Sequence, residues 1–155
     1  MDKNLVLIGG AIVFDGKEGK PRFFIIRQPE GDGWEIPKVL VRKGESSVRA
    51  VLRLMGEKGG MSTRVLEEAT RTGGVTKISG KSSPQRCIYY LMLLRSSSKE
   101  VIGFEDYLWA DYSVAIKKLS LKKERTSIKR AKKIVRLYQK ERQRRMKLNY
   151  PDLEY

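Results

Sequence analysis

Val39–Met61 reads VLVRKGESSVRAVLRLMGEKGGM. Ser46 and Ser47 carry the side-chain oxygens that cap a helix by accepting from its first free backbone N–H groups. Val48, Val51, Leu52 and Met55 follow at i, i+3, i+4 and i+7, the apolar stripe of an amphipathic helix. Positions 54, 57 and 58 share another face, because steps of three and four residues bring helical side chains together. That face presents Leu54, Glu57 and Lys58. One carboxylate beside an ammonium is a poor seat for a hard divalent ion, which needs several oxygen ligands and is repelled by the neighbouring charge.

Upstream of this helix, the loop 29–33 delivers a short strand-like segment, Trp34-Glu35-Ile36-Pro37-Lys38. Leu5–Phe14 (LVLIGGAIVF) reads as a buried strand in which Gly9-Gly10 marks a bulge or a close backbone approach. Asp15-Gly16 opens a hairpin-type loop and Phe23–Ile26 returns as a strand. Downstream, Val65–Thr72 and Val75–Ser79 read as two strand pieces separated by Gly73-Gly74. Gly80–Gln85 reads as a polar turn, and Cys87–Leu94 is the most apolar strand of the chain. Phe104–Ala110 is a further strand, and Asp111 caps a short helix, Tyr112–Leu119. A last helix is expected to start near Ser127. Its stripe Ile128, Ala131, Val135 and Tyr138, widened by Ile134 and Leu137, should dock on the rest of the chain. From Gln139 the stripe fades into a basic helical extension, ended by Asn149-Tyr150-Pro151 and followed by a short acidic tail. The chain therefore divides into a body, 1–138, and an extension, 139–155.

The stretch 39–61 and its flanks resemble a Nudix box with part of its chemistry replaced. That box is Gly, five residues, Glu, seven residues, then Arg-Glu-apolar-any-Glu-Glu-any-Gly-apolar. Glu45, Arg53, Met55, Glu57, Gly60 and Met61 fall where it wants them. Val39 stands for the opening glycine, Leu54 for the first carboxylate of the catalytic run, and Lys58 for the last. Gly9, Gly10, Trp34, Pro37 and Lys38 carry the resemblance outside the box. The Trp109-containing strand leading into the helix after Asp111 is similar to the pattern of dinucleoside tetraphosphate hydrolases.

The resemblance implies an α/β (α+β) fold: a Nudix-like α/β/α sandwich around a mixed sheet, here with a long basic C-terminal helix. In active members three glutamates hold Mg²⁺, which polarises the phosphates under attack. The pair equivalent to Glu45 and Arg53 ties the loop to the helix. With Leu54 and Lys58 in place of carboxylates, the resemblance implies a kept scaffold without its usual metal site. No catalytic residue, metal or cofactor is expected. Persisting hydrolysis would run on Mg²⁺ with Glu57 and Glu45, or with Glu67 or Glu68 rebuilding the site. Lys58 either forms a salt bridge or meets a phosphate directly, and Lys38 is the second candidate phosphate contact.

Composition narrows the setting. The 155 residues suffice for one domain with a real core. No apolar run approaches a membrane span, and the N-terminus lacks a signal-peptide layout. The lone Cys87 lies in the run CIYYLMLL and reads as a buried strand residue. The chain has no histidine, which excludes His-based acid–base catalysis and His-containing zinc sites. These features suit a reduced cytoplasmic protein.

The net charge is +15. Lys117, Lys118, Lys122, Lys123, Arg125, Lys129, Arg130, Lys132, Lys133, Arg136, Lys140, Arg142, Arg144, Arg145 and Lys147 face only Glu124 and Glu141 within the same span. Nearly all of the excess charge is thus local, and an ordinary solvated helix would intersperse more glutamate. Such a frame attracts a phosphate backbone through counterion release. An acidic protein surface and plain solvation are the weaker readings, and a membrane surface is weaker still for want of an apolar face. Tyr89, Tyr90, Tyr107, Tyr138 and Tyr150 are candidate stacking groups for unpaired bases, which favours RNA over DNA.

Three functions follow as expectations. The leading one is a non-catalytic Nudix-like domain that binds RNA, most naturally rRNA or another structured RNA within a ribosome or other ribonucleoprotein. The alternatives are a divergent pyrophosphohydrolase acting on nucleoside diphosphate-linked or dinucleoside polyphosphate substrates, and a sensor that binds a nucleotide in the cleft without cutting it.

Overall fold

Strand β1 (Val6–Asp15) is the hub of one seven-stranded mixed sheet. The computed structural model describes residues 5–16, 18–28, 33–78, 80–98, 100–101 and 103–148. On one side β1 pairs in parallel with β6 (Lys81–Ser97), from Val6↔Gln85 to Phe14↔Leu93. On the other it is shared between two antiparallel partners. Its start pairs with β4 (Lys38–Leu40), and its end with β2 (Arg22–Arg27). Beyond these lie β3 (Trp34–Glu35) and β7 (Asp106–Asp111) on β2, and β5 (Met61–Ile78) on β6.

Period-two alternation assigns each strand residue to one of two cores. Ala11, Val13, Phe24, Ile26, Ile88 and Met92 face helix α1 (Ser47–Glu57). Ile12, Phe14, Phe23, Ile25, Cys87, Tyr89 and Leu91 face α2 (Tyr112–Lys118) and α3 (Lys122–Lys147). The expected α/β/α sandwich with a long C-terminal helix is the architecture found. Cys87 is fully buried, and burial pushes its thiol pKa up.

Gly9-Gly10 causes no break in β1; each glycine makes a close approach. A Cβ on Gly10 would lie 2.3 Å from Tyr89 Cδ1, and one on Gly9 2.8 Å from Val51 Cγ1. The two glycines let the cores on both faces reach the hub strand.

Leu52 and Leu137, expected on the apolar docking stripes of the first and last helices, are 37% and 67% exposed, and three further sequence expectations are corrected. The two strand pieces around Gly73-Gly74 are one strand, since β5 runs through both glycines opposite Arg86 and Gln85. The turn expected at Gly80–Gln85 is mostly strand, because β6 starts at Lys81 and pairs Ser82, Ser83 and Pro84 with β5. Local composition suggested loops, and the ladder with the facing strand overrides it. The last helix starts at Lys122, five residues before Ser127, because its first turn is held from the sheet by Glu124.

Helix α3 crosses position 138 without interruption. Past it, Gln139 Nε2 donates to the carbonyls of Gly16 and Gly19, each at 3.0 Å, and Arg142 pairs with Glu18 at 3.2 Å. The expected terminator and tail at 149–155 lie outside the described residues, as does the loop at 29–32. No helix among the described residues is long and apolar enough to cross a membrane.

Candidate functional site

The box helix α1 starts where its sequence directs. Ser46 is the N-cap, and its Oγ accepts from Arg49 N at 3.1 Å. Ser47 Oγ and Tyr90 Oη lie 2.6 Å apart, fastening the first turn to β6. The loop before the helix is tied to its middle by Glu45 and Arg53. Arg53 Nε donates to Glu45 Oε2 at 2.8 Å and Nη2 to Oε1 at 2.9 Å, a two-point contact. At the far end Gly60 adopts φ +61°, and a Cβ there would strike Ser98 and Glu100. Lys58 O accepts from Gly103 N at 3.0 Å, so the β6–β7 loop closes over the helix end.

The hydrogen bond from Arg53, followed by that from the Arg42 N–H, lowers the Glu45 pKa to about 2. A carboxylate depressed in the folded state contributes stability in full above its unfolded pKa of about 4.3 and loses it as pH falls through the folded value. The urea midpoint should therefore decline from about pH 4.5 toward pH 2, and Glu45→Gln should flatten that part of the profile. A decline unchanged in Glu45→Gln would assign it to other carboxylates.

No family model and no curated protein matches this chain by sequence. Solved structures do. The Ap4A hydrolase of C. elegans superposes with a TM-score of 0.67 at 19% identity, over 84% of this chain and 98% of that one. The NUDIX domain of Shewanella oneidensis NrtR, complexed with ADP ribose, gives 0.60 at 17% identity, over 86% and 90%. The E. coli dihydroneopterin triphosphate pyrophosphohydrolase gives 0.61 at 11% identity, over 79% and 91%.

The chain has the Nudix hydrolase fold.

On this Nudix fold the carboxylates do not converge. Leu54 is 2% exposed and packs in the core with Val51, Met55 and Met61. Position 54, expected on the face of 57 and 58, is therefore inside the molecule. Glu57 and Lys58 are exposed. Glu45 is committed to Arg53, and Glu68 is held at both oxygens by Arg71, at 2.8 and 2.9 Å. Glu67 turns to the opposite face of the sheet, beside Tyr138 and Arg142 of α3. Among the described residues, no three Asp, Glu or Cys side chains gather as a metal ion would require. The donor set does not fit the Mg²⁺ that the fold implies.

Lys38, a candidate phosphate contact, is committed elsewhere. Its Nζ lies 2.7 Å from Glu124 Oε2, 2.9 Å from the Ile36 carbonyl and 3.4 Å from Glu35 Oε2. Glu124 is 0% exposed and also accepts from Tyr89 Oη at 2.7 Å and from Ile36 N at 2.9 Å. Burial, then the Glu124 charge, drives the Tyr89 pKa far upward, so its hydroxyl stays a donor. Sequence reasoning missed this network and treated Glu124 only as a minority charge. The signal was its spacing, since Glu124, Ile128, Ala131 and Val135 lie on one buried stripe.

The fifteen cations of 117–147 also sort into groups. Lys118 and Arg27 flank the Trp34 ring at 5.6 and 5.5 Å from its centroid. Arg125 donates to the Leu119 and Ser120 carbonyls at 2.8 and 3.0 Å, closing the α2–α3 turn. Arg144 and Arg145 both reach Glu141, at 2.7 and 3.5 Å. Lys117, Lys122, Lys129, Arg130, Lys133, Arg136, Lys140 and Lys147 are exposed. Of the candidate stacking tyrosines, Tyr89 and Tyr90 are buried, Tyr107 stacks on Phe24, Tyr138 packs edge-on against Phe14, and Tyr150 lies outside the described residues. Burial removes the first two from stacking on bases.

Proposed function

We propose that this protein is a nucleotide binder of Nudix fold that has lost metal-dependent hydrolysis. It would hold a nucleoside diphosphate-linked or dinucleoside polyphosphate ligand at the box helix and act as a sensor. The observation that carries this reading is position 58. An exposed ammonium, with no acidic partner among the described residues, stands where the family pattern has a carboxylate. An ammonium donates to phosphate oxygens without a bridging metal. The intact Glu45–Arg53 tie supports a helix kept for binding. The likeness to structures described as an Ap4A hydrolase and as a domain complexed with ADP ribose supports the ligand class.

Thermal unfolding with ADP-ribose or diadenosine tetraphosphate, in the presence of EDTA, tests it. Ligand at a hundredfold over Kd stabilises by about 2.7 kcal/mol, and the ligand should be recovered intact. Lys58→Glu should remove the stabilisation. No shift at millimolar ligand would make the cleft vestigial. Phosphate release with Mg²⁺ or Mn²⁺ that disappears in Glu57→Gln would replace the sensor with the pyrophosphohydrolase.

A second reading is favoured by the exposed cations of α3, few of which meet an acid. Here residues 1–138 are a body and 139–155 an extension of a cytoplasmic RNA-binding protein, docked on rRNA or another structured RNA in a ribonucleoprotein. Its signature is a steep loss of affinity with salt: six phosphate contacts imply roughly a thousandfold loss between 50 and 200 mM.

A further inference from the structure

Across the sheet from the box helix, α2 and α3 frame a concavity. Its first part, about 310 Å³, is bordered by Lys20 of the β1–β2 turn, Tyr112, Lys132, Arg136 and Gln139. Its second part, about 290 Å³, shares Tyr112, Lys132 and Arg136 and adds Lys129 and Lys133. Five cations thus border one continuous groove, against Asp111 as the sole acid among its described lining residues. None of the five makes an ion pair with a described residue. Lys132 Nζ lies 4.1 Å from the centroid of the Tyr112 ring, whose negative face holds the ammonium in place. The arm beyond differs, because Arg142, Arg144 and Arg145 are paired with Glu18 and Glu141.

We propose that this groove seats the sugar–phosphate backbone of a single RNA strand, with Lys132, positioned by Tyr112, as its central phosphate contact. The proposal rests on the RNA reading above and narrows the contact from the fifteen cations of 117–147 to those on the α2–α3 face. From Lys129 to Arg136 the helix rises about 10 Å. Cations spread over that length can meet successive phosphates of one backbone. Hollows of this size are near the lower end for a small-molecule pocket, about 300 Å³. The contacts are to phosphate, so binding is strongly salt-dependent and nearly indifferent to sequence.

Fluorescence anisotropy of a short labelled oligouridine across a salt series tests the seat on the full chain. Lys129→Glu combined with Lys133→Glu, both exposed positions, should weaken binding at least tenfold. It should also flatten the log–log salt slope by about 1.4, at about 0.7 per phosphate contact on a single strand. Tyr112→Leu should weaken binding a few-fold, whereas Tyr112→Phe, which keeps the ring, should match the unmodified protein. Unfolding curves for the Tyr112 variants separate loss of positioning from loss of fold. Undiminished binding by the groove variants, with loss on replacing Arg142, Arg144, Arg145 and Lys147 by alanine, overturns the groove and leaves the RNA reading standing. Absence of salt-dependent binding by the unmodified protein overturns both.

Discussion

Glu124→Ala is expected to destabilise the protein by about 3–5 kcal/mol, the usual cost of removing one partner from a buried ion pair. The carboxylate is fully buried and serves three donors on three different segments: Lys38 Nζ on β4, Tyr89 Oη on β6 and the backbone N–H of Ile36. Alanine leaves the Tyr89 hydroxyl and the Ile36 N–H without their acceptor inside the core, where each orphaned group costs about 1–3 kcal/mol. Lys38 keeps its contacts to the Ile36 carbonyl and Glu35, which keeps the total within that range. Glu124→Gln retains an acceptor of the same shape and should lose clearly less. Urea unfolding at neutral pH measures both, and Tyr89→Phe combined with Glu124→Ala should show strong non-additivity. A loss below about 1 kcal/mol for Glu124→Ala would mean that the Tyr89 hydroxyl, the Ile36 N–H and the Lys38 ammonium reach water once the carboxylate is gone. The network matters for the groove as well, since it anchors the first turn of the helix that carries Lys129 to Arg136.

Placing carboxylates at 54 and 58 should not by itself produce hydrolysis. Leu54→Glu places a carboxyl where the leucine is 2% exposed among Val51, Met55 and Met61. It forfeits about 2 kcal/mol of apolar burial and adds the penalty of an unpaired polar group in the core, about 1–3 kcal/mol. A cost of about 3–5 kcal/mol follows from those two together. The new carboxyl is held protonated by burial, so its folded pKa is raised above the unfolded value. The deficit is then smallest at acidic pH and grows as pH rises toward the folded pKa. Adding Lys58→Glu should create no Mg²⁺-dependent hydrolysis of ADP-ribose or diadenosine tetraphosphate, because residue 54 is buried in the core and does not join 57 and 58 at the surface. Hydrolysis gained at unchanged stability would show that position 54 opens to solvent and that two substitutions alone silenced the site.

Much of the fold was legible before any coordinates, and for local reasons. Ser46 as a cap, the stripe Val48-Val51-Met55 and the Glu45–Arg53 tie depend on spacing within a few turns of one helix. Strands such as Phe23–Ile26 and Cys87–Leu94 announced themselves by apolar content. Sequence misjudged β5, β6 and the start of α3, where a cross-strand ladder or a buried carboxylate outweighs local preference. It was weakest on side-chain partners. Lys38 looked free for phosphate and is half-buried, paired with a glutamate 86 residues away. Glu67 and Glu68 are adjacent in sequence, yet alternation sends them to opposite faces, one beside α3 and one to Arg71.

Residue identity and separation along the chain suffice to place Leu54 and Lys58 at two positions where the resembled box has carboxylates, and to concentrate the positive charge in 117–147. It takes the packed chain to show that Leu54 is core, that Glu124 is the buried partner of Lys38, and that cations with no ion pair among the described residues line a groove with Tyr112. Those three depend on which distant residues meet, and such meetings are fixed by packing across the whole sheet.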